Sequence, residues 1–162
     1  MSADGQLDAF VALSAAVCGF TEFDLHGSGQ AEAYLSTVRD GAGEEVLSDL
    51  LDAWTRVRDE ARQDDALLGR LLRREVFSDP KLGPVARNVV KLWYVGIWYE
   101  LPPAWIDAYG ALEKNYTFMV SAAAYTQGML WTAIGANPPG IRGPGYGSWV
   151  GPPRIPAAPG AS

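Results

Sequence analysis

The sequence predicts an all-α fold: a single bundle-like domain of about six helices over residues 1–135, followed by an extended Gly/Pro-rich arm over residues 136–162. Apolar residues recur at helical spacing in most stretches up to residue 135, and no alternating run is long enough to predict a sheet. From residue 136 the composition changes, and 13 of the last 27 residues are Gly or Pro. Such a segment forms neither a helix nor a central strand.

The predicted helix over residues 82–99 is the central element of the predicted fold. One helical face carries Leu82, Val85, Ala86, Val89, Val90, Trp93 and Ile97. Residues 92–99 carry no charge and four of them are aromatic, and a helix that is apolar on all sides has to be covered. Two interpretations stay open: this helix is the centre of the chain's own core, or another chain covers part of it. We assign Val89, Trp93 and Ile97 to the core, with Trp54 from an upstream helix.

The remaining helices follow from the same periodicity. They are predicted at residues 6–18, 28–39, 44–62, 64–77 and, after Pro102-Pro103, in a short helix with Trp105, Ile106, Tyr109 and Leu112 on one face. A last Ala-rich helix is predicted over residues 117–134, and residues 20–27 are predicted to form a loop. Asp4 and Ser28 are plausible N-caps.

Charge and composition limit the function classes. The 162 residues carry a net charge of −6 with a pI near 4.7. Because the chain has no Lys/Arg run, no nucleic-acid partner is expected. Binding to an anionic membrane is disfavoured, and residues 119–136 are too polar for a membrane span. The N-terminal residues show no basic n-region and no twin arginine, so no leader is expected. The chain as written is then expected in the cytoplasm, or in the periplasm if a leader was removed or a partner carries one.

Cys18 and His26 are each the only residue of their type. One cysteine cannot form a disulfide within the chain, an iron–sulfur site or a structural zinc site of the Cys/His type. Cys18 lies on the apolar side of the first predicted helix, so a buried, unreactive thiol is expected. His26 could act as a general base with Glu22 or Asp24, but a structural role is favoured because no nucleophile accompanies it.

The arm has three interpretations. Large apolar side chains argue against a plain linker, and the glycines lack the strand and helix that frame a phosphate loop. The favoured interpretation is a docked arm, since prolines lower the entropy lost on docking and Tyr and Trp are common interface anchors. Whether it docks on its own helices or on a partner stays open. Its anchors are Ile141, Tyr146, Trp149, Val150 and Ile155.

Short motifs along the chain occur in an order that resembles a known family. They are Phe10-Val11-Ala12-Leu13-Ser14 with Gly19-Phe20, then Leu92-Trp93-Tyr94-Val95-Gly96-Ile97, the segment around Tyr125, and the closing Pro144-Gly145-Tyr146-Gly147-Ser148-Trp149-Val150-Gly151-Pro152-Pro153. Together they look like the small subunit of bacterial FAD-dependent sugar and polyol dehydrogenases, which include sorbitol, fructose, gluconate and glucose dehydrogenases and the glycoside 3-dehydrogenases.

The resemblance implies a non-catalytic subunit. In that family the small subunit binds, stabilises and assists folding of a large subunit of the glucose-methanol-choline (GMC) type, which holds FAD and the catalytic histidine. Some complexes add a cytochrome c, and haem or an iron–sulfur centre would lie in such other subunits. This chain would itself bind no cofactor or metal. The residues expected at the partner interface are Tyr94, Trp98, Trp105, Tyr146, Trp149, Pro152 and Pro153.

The chain departs from the family pattern at two places. Many members carry a leader, and many have a cysteine just before the closing Pro-Gly segment, where this chain reads Ala136-Asn137-Pro138-Pro139-Gly140. An intersubunit disulfide from that position is therefore not expected. The alternative function is a stand-alone helical adaptor that uses Pro152-Pro153-Arg154-Ile155-Pro156 as a polyproline ligand.

Overall fold

A computed structural model describes residues 3–136 of the chain, and the all-α class is confirmed. The helices are α1 (Ala3–Cys18), α2 (Glu22–Gly27), α3 (Ala31–Ala42), α4 (Glu44–Ala61), α5 (Asp65–Leu71), a π-helical segment (Leu72–Phe77), α6 (Leu82–Val95), α7 (Pro103–Tyr109), α8 (Ala122–Thr126) and α9 (Met129–Ala133). Two short strands, β1 (Ile97–Trp98) and β2 (Phe118–Met119), pair antiparallel. The predicted arm, except for Ala136, lies outside the described residues.

The core forms where α1, α3, α4 and the π-helical segment pack around α6. Trp93 of α6 is 1% exposed, and its ring meets Phe10 of α1 at 6.3 Å and Tyr34 of α3 at 4.9 Å between centroids. Val89 and Trp54 are also buried. Aromatic pairs at these separations add to the stabilisation from buried apolar area. Residues 82–95 are therefore the centre of this chain's own core.

The central helix is shorter than predicted. It ends at Val95, where Gly96 adopts a left-handed conformation (φ 69°) and donates its N–H to the carbonyl of Leu92. A Cβ at this position would stand 2.7 Å from the backbone of Ala124, so the close approach of α8 also requires glycine. The prediction of Ile97 on the helical face was wrong: Ile97 is half-buried on β1, opposite Met119.

The fourth predicted helix changes its geometry halfway. Asp64 caps α5 by accepting the N–H of Leu67 at 2.9 Å, and the helix then widens into the π-helical segment. Its wider turn bonds residue i to i+5, which aligns Leu71 with Val76. These two side chains are 2% and 0% exposed, so the widened turn keeps both of them in the core.

Two further predictions were wrong for local reasons. Residues 20–27 contain α2 because Thr21 and Asp24 form a capping box, and Ser28 lies at the C-cap of α2 rather than at the N-cap of α3. Residues 117–134 form β2, α8 and α9 instead of one helix. Gly128 interrupts this stretch with an extended backbone (ψ 131°), and its Cα packs so closely on the carbonyl of Tyr94 that a Cβ would stand 2.7 Å away.

Candidate partner-binding surface

Trp98 was predicted at a partner interface, and the structure corrects this. Its side chain is 0% exposed and lies against Gly41 of α3. Its indole Nε1 points to Asn115 Oδ1 at 3.4 Å. Residues on a strand alternate between its two faces, so the turn at Gly96 directs Trp98 inward. The ring is part of this chain's core and is not free for a partner.

Trp105 is likewise enclosed by this chain rather than available at an interface. It is 3% exposed, and its Nε1 donates to the backbone carbonyl of Lys81 at 2.8 Å. Tyr109, one turn further along α7, packs on it with 5.3 Å between ring centroids. Burying the indole with its N–H bonded fixes α7 against the start of α6.

Tyr94 is the one interface candidate in residues 3–136 whose side chain is half-buried rather than fully buried. Its hydroxyl donates to the carbonyl of Cys18 at 2.9 Å, and its ring contacts Phe20 at 5.6 Å. These contacts join the C-terminal end of α6 to the C-terminal end of α1. The other four candidates, Tyr146, Trp149, Pro152 and Pro153, lie outside the described residues.

A different set of apolar side chains reaches the surface. In the described part of the chain the exposed large hydrophobic residues are Phe23, Tyr99, Tyr109, Leu112, Tyr116, Met119 and Ile134. All but Phe23 follow residue 98, so this exposure is concentrated in the segment that leads to the arm. We call Tyr109, Leu112, Tyr116 and Met119 the apolar surface; they are 38–54% exposed.

Two members of this surface, Tyr109 and Leu112, were predicted on one helical face with Trp105. Tyr109 does lie on α7 and packs on Trp105. The prediction was wrong for Leu112, because α7 ends at Tyr109 and Gly110 redirects the chain with φ 104°. Tyr116 and Met119 were missed altogether. The available signal was the density of large apolar residues between Tyr109 and Met119 in a stretch without regular helical spacing.

The segment that carries the apolar surface is held in place by side-chain bonds. Asn115 is 7% exposed, and its Oδ1 accepts the N–H of Leu101 at 2.9 Å as well as the indole N–H of Trp98. Thr117 Oγ1 accepts the N–H of Glu100 at 3.0 Å, and Lys114 pairs with Asp40 of α3 at 2.7 Å. The apolar side chains are thus presented by an anchored segment, which lowers the entropy that binding would cost.

The candidate reactive residues do not assemble a site. His26 is exposed on α2, and Asp24, its proposed acid, is engaged in the capping box with Thr21. Burial raises the pKa of the Cys18 thiol from 9.0 to about 12, which disfavours the nucleophilic thiolate at neutral pH. Within residues 3–136 no three His, Cys, Asp or Glu side chains are placed to hold a metal ion.

The buried polar side chains serve the fold. Ser14 and Thr37 each donate to the carbonyl four residues earlier in their helices. Asn88 is 2% exposed and donates to the carbonyl of Tyr99 at 2.6 Å, which attaches the chain after β1 to α6. Among the described helices, none has both the length and the apolar character needed to cross a membrane.

The apolar surface is therefore the candidate functional feature of the described residues. It combines exposed aromatic and aliphatic side chains, close together in sequence, with an anchored backbone, and Tyr and Met are enriched at protein interfaces. Comparison of the chain with protein-family models, with curated proteins and with solved structures found no match in any of the three.

Proposed function

We propose that this chain is a non-catalytic small subunit that binds, stabilises and assists folding of a large FAD-containing dehydrogenase of the GMC type. The partner's flavin would oxidise a hydroxyl group of a sugar, polyol or glycoside. The observation that carries the proposal is the apolar surface, because it lies between two of the motifs that resemble the small-subunit family. In the sequence it also precedes the arm, with α8 and α9 between them.

The structure of the core refines which residues would meet the partner. Trp93, Trp98 and Trp105 stabilise this chain itself, since they are 0–3% exposed. The contact with the flavoprotein is therefore assigned to Tyr109, Leu112, Tyr116 and Met119, with the exposed part of Tyr94. Four such side chains cannot cover an obligate interface, which buries more than about 2,000 Å². The arm, through Tyr146, Trp149, Pro152 and Pro153, would supply much of the rest.

Co-expression tests the proposal directly. The chain is produced with a flavoprotein encoded beside it, and the complex is followed by size-exclusion chromatography with detection of protein and of flavin absorbance. We expect the chain to co-elute with the flavin. If it elutes alone, colourless and folded, while the flavoprotein is soluble and active without it, the proposal is wrong.

Two variants of the complex separate the proposal from its alternatives. Retained turnover with His26→Ala is expected, because this chain would contribute no catalytic base. A chain ending at Gly151 should keep most of its partner binding through Trp149 and the apolar surface. An adaptor that binds through Pro152-Pro153-Arg154-Ile155-Pro156 would instead lose all binding on the same truncation.

A further inference from the structure

A second surface differs in chemistry from the apolar surface and lies on the exposed side of α6. Arg87 and Lys91 are both exposed and stand four residues apart on this helix. Residues at that spacing are neighbours on a helix, and two like charges there repel. Helix α6 has no Asp or Glu in its sequence, although the whole chain carries a net charge of −6.

Each of these cations lies over an aromatic ring. The guanidinium carbon of Arg87 is 5.9 Å from the centroid of the Phe77 ring, and Lys91 Nζ is 4.5 Å from the centroid of Tyr99. A cation over a ring face is attracted by the ring quadrupole. We call Arg87, Lys91, Phe77 and Tyr99 the cationic face.

The backbone carbonyl of each aromatic residue is bonded to a side chain of α6. Arg87 donates to the carbonyl of Phe77 at 2.9 Å, and Gly83 allows that carbonyl to approach, since a Cβ on residue 83 would stand 2.5 Å from it. On the other side, the buried Asn88 bonds the carbonyl of Tyr99. The contacts with the two rings restrict both cations, so less side-chain entropy is lost when they bind an anion.

Neither cation is neutralised by the described residues. The described salt bridges use Arg39, Arg58, Arg74, Lys81 and Lys114. Arg87 and Lys91 have no carboxylate within ion-pair distance in residues 3–136. The two neighbouring cations are therefore able to bind an external anion.

We propose that the cationic face binds a carboxylate-rich segment of a protein partner. Guanidinium and ammonium groups both donate to carboxylates, and their bonds to ionised groups are among the stronger hydrogen bonds in proteins. A nucleic acid fits less well, because nucleic-acid-binding domains are usually basic with clusters of Lys and Arg, whereas this chain carries a net charge of −6. This inference concerns a surface other than the apolar one and does not depend on the partner being a flavoprotein.

The test uses a fluorescein-labelled peptide of about ten glutamates. It is long enough to reach both Arg87 and Lys91, which are about one helical turn apart. Anisotropy is measured at about 20 mM and about 300 mM salt, because exposed ion pairs are screened at the higher concentration. We expect binding at low salt that weakens at high salt. The double variant Arg87→Glu with Lys91→Glu should bind the peptide about tenfold or more weakly at low salt. This fold-change corresponds to about 1.4 kcal/mol or more of binding free energy.

The matched control is Arg56→Glu with Arg70→Glu. Both of these arginines are exposed and lack a carboxylate partner in the described salt bridges, and the double substitution changes the net charge by the same amount. The same comparison is repeated with glutamine: Arg87→Gln with Lys91→Gln against Arg56→Gln with Arg70→Gln. Glutamine removes the positive charge without adding a negative charge that would repel the peptide. Circular dichroism checks the fold of each.

The proposal fails if the wild-type chain does not bind the peptide, or if both pairs of substitutions weaken binding equally. It also fails if a single-stranded oligonucleotide competes with the peptide and binds more tightly. None of these results bears on co-elution with a flavoprotein, so the two proposals can fail separately.

Discussion

The indole of Trp98 occupies the space that a side chain at Gly41 would need. A Cβ added to Gly41 would stand 2.5 Å from Trp98 Cε2 and 2.6 Å from Cζ2. This contact joins α3 to the strand that follows the central helix. It also explains how Trp98 is fully buried although the central helix has already ended.

Gly41→Ala is therefore expected to destabilise the chain. The added methyl group has to displace a ring enclosed on all sides, which costs about 1–3 kcal/mol for an overpacked core. Urea unfolding followed by circular dichroism measures the change. Gly69→Ala in α5 is the control: its Cβ would be 3.7 Å from the flexible end of Arg73, so a gain of about 0.5–1 kcal/mol in helix stability is expected. Equal effects at both glycines would contradict the packing described for Trp98.

Asn115→Ala is expected to destabilise the segment that presents the apolar surface. The substitution leaves the N–H of Leu101 buried without an acceptor, which costs about 1–3 kcal/mol. Thr117→Val is the matched control, because Thr117 accepts the neighbouring N–H of Glu100 at an exposed position where water can replace it. The free energy of unfolding should fall clearly for the first variant and little for the second. A similar loss for both would show that the burial of Asn115 contributes nothing.

Glu44 should make a pH-dependent contribution to stability. The pKa of its carboxyl is lowered from 4.5 by the hydrogen bond from Gln6, then by the one from Arg39, which link α1, α3 and α4. A lowered folded-state pKa means that the contribution is present above the unfolded pKa and is lost as the pH falls through the folded pKa. Because these groups are exposed, Glu44→Gln should cost only about 0.5 kcal/mol at pH 7.

The difference between wild type and Glu44→Gln should shrink below pH 4.5 and should also shrink in about 1 M salt, where exposed charges are screened. Thermal or urea unfolding across this pH range measures it. A difference that stays constant with pH would assign the effect to packing instead of charge.

Tyr116→Ser with Met119→Ser should weaken the binding of the proposed flavoprotein. Both side chains are about half exposed, so the isolated chain should lose less than about 0.5 kcal/mol per site. Large apolar side chains that become buried at the centre of an interface carry larger contributions, about 1–2 kcal/mol or more each. Titration calorimetry or co-elution yield measures the loss. Phe23→Ser, at an 85% exposed site in α2, is the control and should bind as wild type; an equal loss there would place the interface elsewhere.

The helices with a clear apolar stripe could be predicted from sequence. Helix α4 was predicted over residues 44–62 and spans Glu44–Ala61, because a single amphipathic face with charges opposite it has no competing interpretation. The short α2 could also have been found, since Thr21 and Asp24 have the spacing of a capping box.

The surroundings of Trp98 could not be predicted in the same way. A short run of aromatic residues fits a helix or a strand equally well, and the decision depends on Gly41, which is 57 positions earlier in the chain. The apolar surface was misplaced for a related reason. Trp98 and Trp105 were assigned to a partner, whereas both are buried within this chain.

The burial of the indoles gives the molecule an intrinsic optical signal. Trp54, Trp93, Trp98 and Trp105, four of the six tryptophans, are 0–4% exposed. Indoles shielded from water emit at shorter wavelengths than hydrated ones, so opening of the core should shift the emission to the red. Trp54 and Trp93 lie within α4 and α6, whereas Trp98 and Trp105 lie after the central helix. Replacing one pair with phenylalanine leaves the emission of the other pair to report on its own region. Comparing the two variants would show whether both regions open together.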